Sequence, residues 1–313
     1  MADTRTHGKA ATQAGVFVLL YLILIFLILP LITWAGGYFM GLTVGQLLAT
    51  AFATALTMRI FMDRALPDVG LHWNGISVGN AAWGFLGGAG AALLVIGVPL
   101  AFHLARFEPS QSAGATWRSA LFFPILILSG AAGEELLFHG FAFQVLFRTL
   151  GAWATILPVG LLFGFLHNDN PHHTNISLVN TAAFGVLFGL AFLRSRDLWL
   201  PTGLHFGWNL ALPLLGADLS GLTMKPTGIT LVWNVGTLWS GGDYGPEASL
   251  FTSAVLFLLL IYILKIPVGR QDAPLADGAL SSSSQPFPPL PENSLLPKTG
   301  SNSSADSPPS TPP

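Results

Sequence analysis

The sequence predicts an all-α fold: a polytopic membrane helix bundle of about eight transmembrane helices, followed by a disordered C-terminal tail. Of the 313 residues, 52% are hydrophobic and only 9% are charged, whereas a soluble domain carries about a quarter charged residues. The apolar residues form runs long enough to cross a bilayer, which takes about 20 residues of helix. There is no cysteine, so disulfides, cysteine-ligated metals and thiol catalysis are excluded.

The apolar runs predict where the spans lie. The first run lacks the small-residue cleavage site of a signal peptide, so it is interpreted as a retained span. The fifth run is the shortest, and Pro158 is an alternative start for its helix because proline suits the first turn. The predicted spans lie near residues 15–34, 41–62, 79–104, 119–143, 153–167, 176–193, 198–215 and 248–266.

The distribution of lysine and arginine predicts the orientation of the bundle. Cytoplasmic segments of membrane proteins carry an excess of these residues. With the N-terminus inside, three basic residues fall in outside loops, at Arg106, Arg118 and Lys225. Both termini, including residues 1–14, are therefore predicted to be cytoplasmic, because nine basic residues fall in the inside segments: Arg5, Lys9, Arg59, Arg64, Arg148, Arg194, Arg196, Lys265 and Arg270.

The ends of the chain differ from the predicted bundle at residues 15–268. Residues 269–313 are rich in serine and proline and show no hydrophobic periodicity, so they are predicted to be a disordered tail. The net charge of −2 gives no indication of nucleic-acid binding. The expected partners are the lipid bilayer and no nucleic acid.

The stretch GEELLFHG places Glu134, Glu135 and His139 inside the fourth predicted span. A charged side chain at the bilayer centre costs about 2.5–3.5 kcal/mol, so these groups must face the bundle interior, find partners or share a proton. Glu135 and His139 are four residues apart and share a helix face, whereas Glu134 points about 100° away. A buried Glu–His packing pair and a general base are the two interpretations.

Two further spans carry polar groups. His167 ends the fifth run, with Phe163 one turn before it, and His205 and Asn209 share a face of the seventh. A single histidine on an apolar helix is more often a satisfied core residue than a catalyst. Three separate membrane helices carry such groups here, however, and the fold would make one polar site by bringing them together.

These motifs resemble the CPBP family of intramembrane proteases, whose best-known members are the type II CAAX prenyl endopeptidases. The family pattern is EExxxR, FxxxH and HxxxN in that order, and this chain has EELLFH, FGFLH and HFGWN. The resemblance covers a protease-like core at about residues 120–212. It implies hydrolysis of a peptide bond in a membrane-associated protein or peptide, with prenylated CAAX-type proteins as the best-characterised substrates.

The resemblance also implies roles for individual residues. Glu134 would be the general base for a water held between it and His167, with Glu135 in support. His205 and Asn209 would stabilise the oxyanion. The cofactor stays open between zinc and none: Glu134, His167 and His205 are candidate ligands, but the helical HExxH zinc signature is absent.

One residue departs from the family pattern, and this departure leaves other functions open. His139 stands where the family has arginine, which changes the local charge balance because histidine is not always charged. A non-proteolytic immunity or scaffold relative is therefore an alternative, as is a proton-coupled carrier, since proton relays also use intramembrane Glu and His. Glu247 is expected at the start of the last helix, where the dipole favours an acid, and not in the site.

Overall fold

The computed structural model describes residues 2–110 and 117–276, and the side chains of residues 6–110 and 121–276. In this part of the chain the protein is an all-α bundle with one two-stranded antiparallel sheet, in which Ala105 pairs with Trp233. Residues 41–45 form a π-helix between α2 and α3. The helices are α1 (Ala2–Gly36), α2 (Tyr38–Met40), α3 (Gln46–Met62), α4 (Gly75–Ala101), α5 (Trp117–His139), α6 (Phe141–Leu150), α7 (Ala152–Leu166), α8 (Asn175–Ser195), α9 (Trp199–Leu214), α10 (Thr237–Ser240) and α11 (Leu250–Lys265), and the strands are β1 (Ala105–Pro109) and β2 (Ile229–Trp233).

The predicted fold class is confirmed, and the chain is an integral membrane protein. Each of the eight predicted spans coincides with helix, but fewer segments meet the length and composition for crossing a membrane by themselves. The number of passes stays a prediction. In the described ranges, the segments long and apolar enough to cross are Thr6–Gly36, Tyr38–Met62, Gly75–Ala101, Leu121–Leu150 and Asn175–Ser195.

Two helix boundaries differ from the sequence prediction. The fourth span is divided between α5 and α6 at Gly140, where an added Cβ would lie 2.1 Å from the carbonyl oxygen of Leu136. The fifth helix begins at Ala152, so Pro158 lies inside it and is not its start. Proline is tolerated there because membrane helices can re-satisfy the freed carbonyl locally or through neighbours.

The bundle has two ends that carry different segments. We call the end with residues 63–74, 195–199 and 266–276 the tail end, where Leu198 N donates to Gly70 O at 2.9 Å and Gln271 N donates to Ser195 O at 2.8 Å. The strand end comprises residues 102–110, 167–174 and 215–249. There Asn234 N donates to Leu104 O, and Gly221 N donates to Tyr244 O, each at 2.8 Å.

The first residues of the predicted tail, 269–276, are among the described residues and contact the bundle. Ala273, Leu275 and Ala276 are buried, and the Gln271 side chain donates to Asp197 Oδ2 at 2.9 Å. Residues 269–276 therefore pack on the bundle, because these contacts supply the burial that serine- and proline-rich composition cannot. The rest of the predicted tail, residues 277–313, lies outside the described residues.

Glycines let α4 and α9 approach backbone to backbone. A Cβ at Gly84 would lie 2.3 Å from Leu200 O, and one at Gly88 would lie 1.9 Å from Leu204 O. Small residues at such positions are the usual means of close helix packing in lipid. This contact fixes α9, and with it His205, against the bundle.

Gly88→Ala is expected to destabilise the protein, because the new methyl group meets rigid backbone that cannot move aside. Overpacking of this kind costs about 1–3 kcal/mol or more. Gly90→Ala is the matched control on the same helix, since nothing lies within 4 Å of its added Cβ. Thermal unfolding of the purified protein in detergent should show a lower Tm for the first variant only; equal Tm values would contradict this packing.

Candidate active site

Glu135 is held between two histidines. Its Oε2 lies 2.7 Å from His139 Nδ1 and its Oε1 lies 2.8 Å from His205 Nδ1. All three residues are buried, and Glu135 and His139 have no exposed surface. An ionised carboxylate only accepts hydrogen bonds, so each histidine donates from Nδ1. A neutral ring of either histidine then carries its lone pair at Nε2.

His139 is the residue that stands in place of the family's arginine, and it still supplies Glu135 with a hydrogen-bond donor. It is the last residue of α5, and Gln144 Nε2 donates to its carbonyl at 3.2 Å and to Val69 O at 2.7 Å. The residue that departs from the family pattern is therefore a hydrogen-bond partner of the second glutamate in this chain. Within the described part of the chain, His139 Nε2 has no hydrogen-bond partner.

Five of the residues singled out by the sequence line one cavity of about 390 Å³: Glu134, Phe163, His167, His205 and Asn209. Glu134 Oε2 lies 3.8 Å from His205 Nε2, and the Glu134 side chain is 25% exposed, against none for Glu135. Glu134 Oε2 has no hydrogen-bond partner among the described residues. The two adjacent glutamates thus have different environments: Glu135 is satisfied internally, and Glu134 faces the cavity.

Aromatic rings orient the two cavity histidines. His167 Nδ1 lies 2.7 Å from Phe163 O, the ring centroids of these two residues are 4.7 Å apart, and Nδ1 therefore carries the proton that it donates. His205 stacks on Phe188, with 4.9 Å between centroids and 14° between planes. In a neutral His167, Nε2 remains free to accept a hydrogen bond from a molecule in the cavity.

The rest of the lining contains both apolar and polar side chains. A volume near 390 Å³ is within the usual range for ligand cavities. The apolar wall comes from aromatic and aliphatic side chains, including Phe39, Leu42, Ile127, Phe138, Phe184 and Leu222. The polar part comes from Asn170, Ser220 and Glu247 at the strand end and from residues outside it, namely Tyr21, Thr43, Gln46 and Thr181.

The expectation for Glu247 was wrong. It lies in a 3₁₀ turn (Pro246–Ala248) before α11, and it is buried and lines the cavity. Its carboxylate accepts from Trp208 Nε1 at 3.1 Å, Ser220 N at 2.5 Å and Ser220 Oγ at 2.9 Å. It therefore joins the loop at Ser220 to α9, one residue before Asn209. No sequence signal separates it from an ordinary loop acid.

Glu247 should make the stability of the protein depend on pH. Burial raises the pKa of Glu247 above its ordinary value of 4.5, although the hydrogen bonds from Ser220 and Trp208 oppose this shift. A carboxyl group whose pKa is higher in the folded state stabilises the fold below its unfolded pKa. That contribution is lost as the pH rises from the unfolded pKa to the folded one.

Glu247→Gln is accordingly expected to flatten the fall in Tm that the natural protein shows as the pH rises above the unfolded pKa of this carboxyl group. The measurement is thermal unfolding in detergent at pH values from this pKa upwards. Asp243→Asn, at an exposed carboxylate nearby, is the control that should leave the slope unchanged. An unaltered slope in the Glu247 variant would contradict the assignment.

The candidate metal ligands do not form a ready site. In the described ranges, no group of three His, Cys, Asp or Glu side chains is arranged to hold a metal ion, and that includes Glu134, His167 and His205. His205 and His167 each use Nδ1 for a protein hydrogen bond, so only Nε2 of each ring could face an ion. The donor set does not fit a metal in this structure, so no chemical step is assigned to one.

The fold and the cavity define a class: a polytopic membrane protein with a carboxylate–imidazole site inside its bundle. Residues 116–211 match the family model described as Type II CAAX prenyl endopeptidase Rce1-like, which confirms the resemblance to the CPBP family. This segment runs from the residue before α5 into α9 and contains all three motifs. The family implies a membrane protease of the CAAX type. No curated protein and no solved structure matches the chain.

Proposed function

We propose that the protein is an intramembrane endopeptidase that hydrolyses a peptide bond in a membrane-associated protein or peptide with water activated by Glu134. One observation carries the proposal: the partly exposed Glu134 side chain lines a cavity that His167, His205 and Asn209 also line, and its Oε2 has no hydrogen-bond partner among the described residues. A buried acceptor left unpaired is costly, and a water molecule or a substrate group in the cavity would satisfy it.

The reaction balances with these groups alone. Glu134 takes a proton from water while the water oxygen bonds to the carbonyl carbon of the scissile peptide. The carbonyl oxygen becomes an oxyanion in the tetrahedral intermediate. When the carbon–nitrogen bond breaks, the proton on Glu134 passes to the leaving amine, and the products are an amine and a carboxylic acid, which then loses its proton to the amine or to solvent. General acid–base transfer of this kind contributes about 10²–10⁴-fold to the rate.

The remaining residues of the site position the water and stabilise the oxyanion. His167, with its proton on Nδ1, offers Nε2 as an acceptor that orients the water. Asn209 donates from its amide to the oxyanion. His205 can donate from Nε2 only when its ring is doubly protonated, because its Nδ1 proton is donated to Glu135. Preorganised donors at an oxyanion are worth about 2.7–4 kcal/mol each in a water-excluded site.

The test is proteolysis by the purified full-length protein. A peptide library with lipidated and unlipidated members is incubated in detergent micelles, and products are identified by mass spectrometry with and without a chelator. Cleavage that survives chelation supports the proposal. Absence of any cleavage by folded protein would favour the scaffold or carrier alternative, and loss of cleavage restored by added zinc would overturn the metal-free mechanism.

A further inference from the structure

We infer that the cavity faces the non-cytoplasmic side of the membrane, so that the substrate is a membrane-associated segment exposed there after export, and not a cytosolic lipidated C-terminus. This inference rests on the proposed hydrolysis for its substrate class. Its statement about sidedness depends on the structure and the charges alone.

The cavity lies towards the strand end of the bundle. Its lining includes His167, Asn170, Ser220 and Glu247, which all belong to strand-end segments. From α9 the lining begins at His205, one turn and a half after the tail-end start of that helix at Trp199. The cavity therefore extends to the strand end of the bundle.

The tail end of the bundle is closed beneath the site. Glu135 and His139 have no exposed surface, and Phe141, Phe143 and Phe147 of the following turns are buried. Phe17 of α1 packs on Phe141 with 6.0 Å between ring centroids. This aromatic layer separates the cavity from the tail end, so a substrate cannot enter from that side.

The two ends of the bundle differ in the number of their basic residues. Among residues whose side chains the structure describes, the strand end has Arg106 and Lys225. Each is paired, Arg106 with Glu108 at 2.6 Å and Lys225 with Asp218 at 2.9 Å. The tail end, together with the last helical turns that lead into it, holds six basic residues, most of them exposed: Arg59, Arg64, Arg194, Arg196, Lys265 and Arg270.

These charges give the orientation. Lysine and arginine in short loops near the ends of spans set the topology of a membrane protein, and acids contribute little. The tail end should therefore be cytoplasmic. The strand end, and the cavity with it, then faces the opposite side.

The charge inside the cavity agrees with this substrate class. Two carboxylates, Glu134 and Glu247, line it, and among the residues that the structure describes no lysine or arginine does. A cytosolic C-terminal motif would bring a free carboxylate close to the scissile bond, and that carboxylate would meet no fixed counter-charge among the lining residues. An internal segment of an exported chain carries no such group.

The absence of native cysteine permits a direct test of sidedness. Thr223→Cys places a thiol on the exposed surface of the strand end, and Ala65→Cys is the matched variant at the exposed tail end. In bacterial spheroplasts that express each variant, a membrane-impermeant maleimide should label the first directly and the second only after permeabilisation. The reverse pattern would overturn the inference whether or not the protein is a protease.

A second measurement separates sidedness from chemistry. Reporter proteins with one transmembrane anchor present the same cleavable segment on the outer or the inner side of the spheroplast membrane. We expect cleavage of the outer reporter only, and equal or faster cleavage of an amidated peptide than of its free-carboxylate form by purified protein. Cleavage of the inner reporter alone overturns the inference, whereas failure to cleave either peptide in detergent overturns the proposed hydrolysis instead.

Discussion

Glu134→Gln is expected to lower the rate of peptide hydrolysis by about 10²–10⁴-fold, because an amide cannot take the proton from water. The fold should be unaffected. The Glu134 side chain is partly exposed to the cavity, its Oε2 has no partner in the described part of the chain, and glutamine has nearly the same shape. The measurement is the initial rate of cleavage of a peptide that the natural protein cuts, together with Tm.

The control for this variant is Glu108→Gln on β1. Glu108 forms an exposed ion pair with Arg106 at the strand end, and exposed pairs contribute little to stability. It should retain full activity and Tm. Natural activity in the Glu134 variant would show that Glu134 is not the general base, and it would contradict the proposed mechanism. A Glu134 variant with a strongly lowered Tm would show that the residue is structural.

Glu135→Ala is expected to destabilise the protein strongly and to abolish hydrolysis as a consequence. Removing the carboxylate leaves the Nδ1 groups of His139 and His205 without acceptors in a site that has almost no exposed surface. Breaking a buried ion pair costs about 3–5 kcal/mol when the partner stays charged. Thermal unfolding should show a lower Tm, in contrast to the Glu134 variant one residue away.

Glu135→Gln serves as the graded control. Glutamine keeps one acceptor oxygen, so one histidine retains its hydrogen bond and the other faces an amide donor. We expect a Tm between those of the natural protein and the alanine variant. Equal Tm values for all three proteins would contradict the assignment of Glu135 as the group that positions His205.

Local geometry at the site followed from spacing in the sequence. The four-residue separation of Glu135 and His139 places their side chains 2.7 Å apart, as expected for one face of a helix. The same spacing sets His205 and Asn209 on one face of α9. The different directions of Glu134 and Glu135 were also predictable, because adjacent helical residues point about 100° apart.

Other features depended on contacts between distant parts of the chain. Glu247 reaches the cavity because its turn packs on Trp208 and Ser220. Neither contact can be predicted from the sequence around Glu247. Gln271 binds Asp197 and thereby holds a segment predicted to be tail. The fourth span is divided at Gly140, where the Leu136 carbonyl leaves no room for a side chain.

The sequence by itself determined that this is a helical membrane protein and which side chains could do chemistry, because hydropathy and helical spacing are local properties of the chain. Only the tertiary structure decided that α5, α7 and α9 bring Glu134, His167 and His205 to one cavity, and that Glu135 is satisfied while Glu134 is not. The physical reason is that a polar group is costly or useful in lipid according to the partners it meets, and those partners come from remote helices.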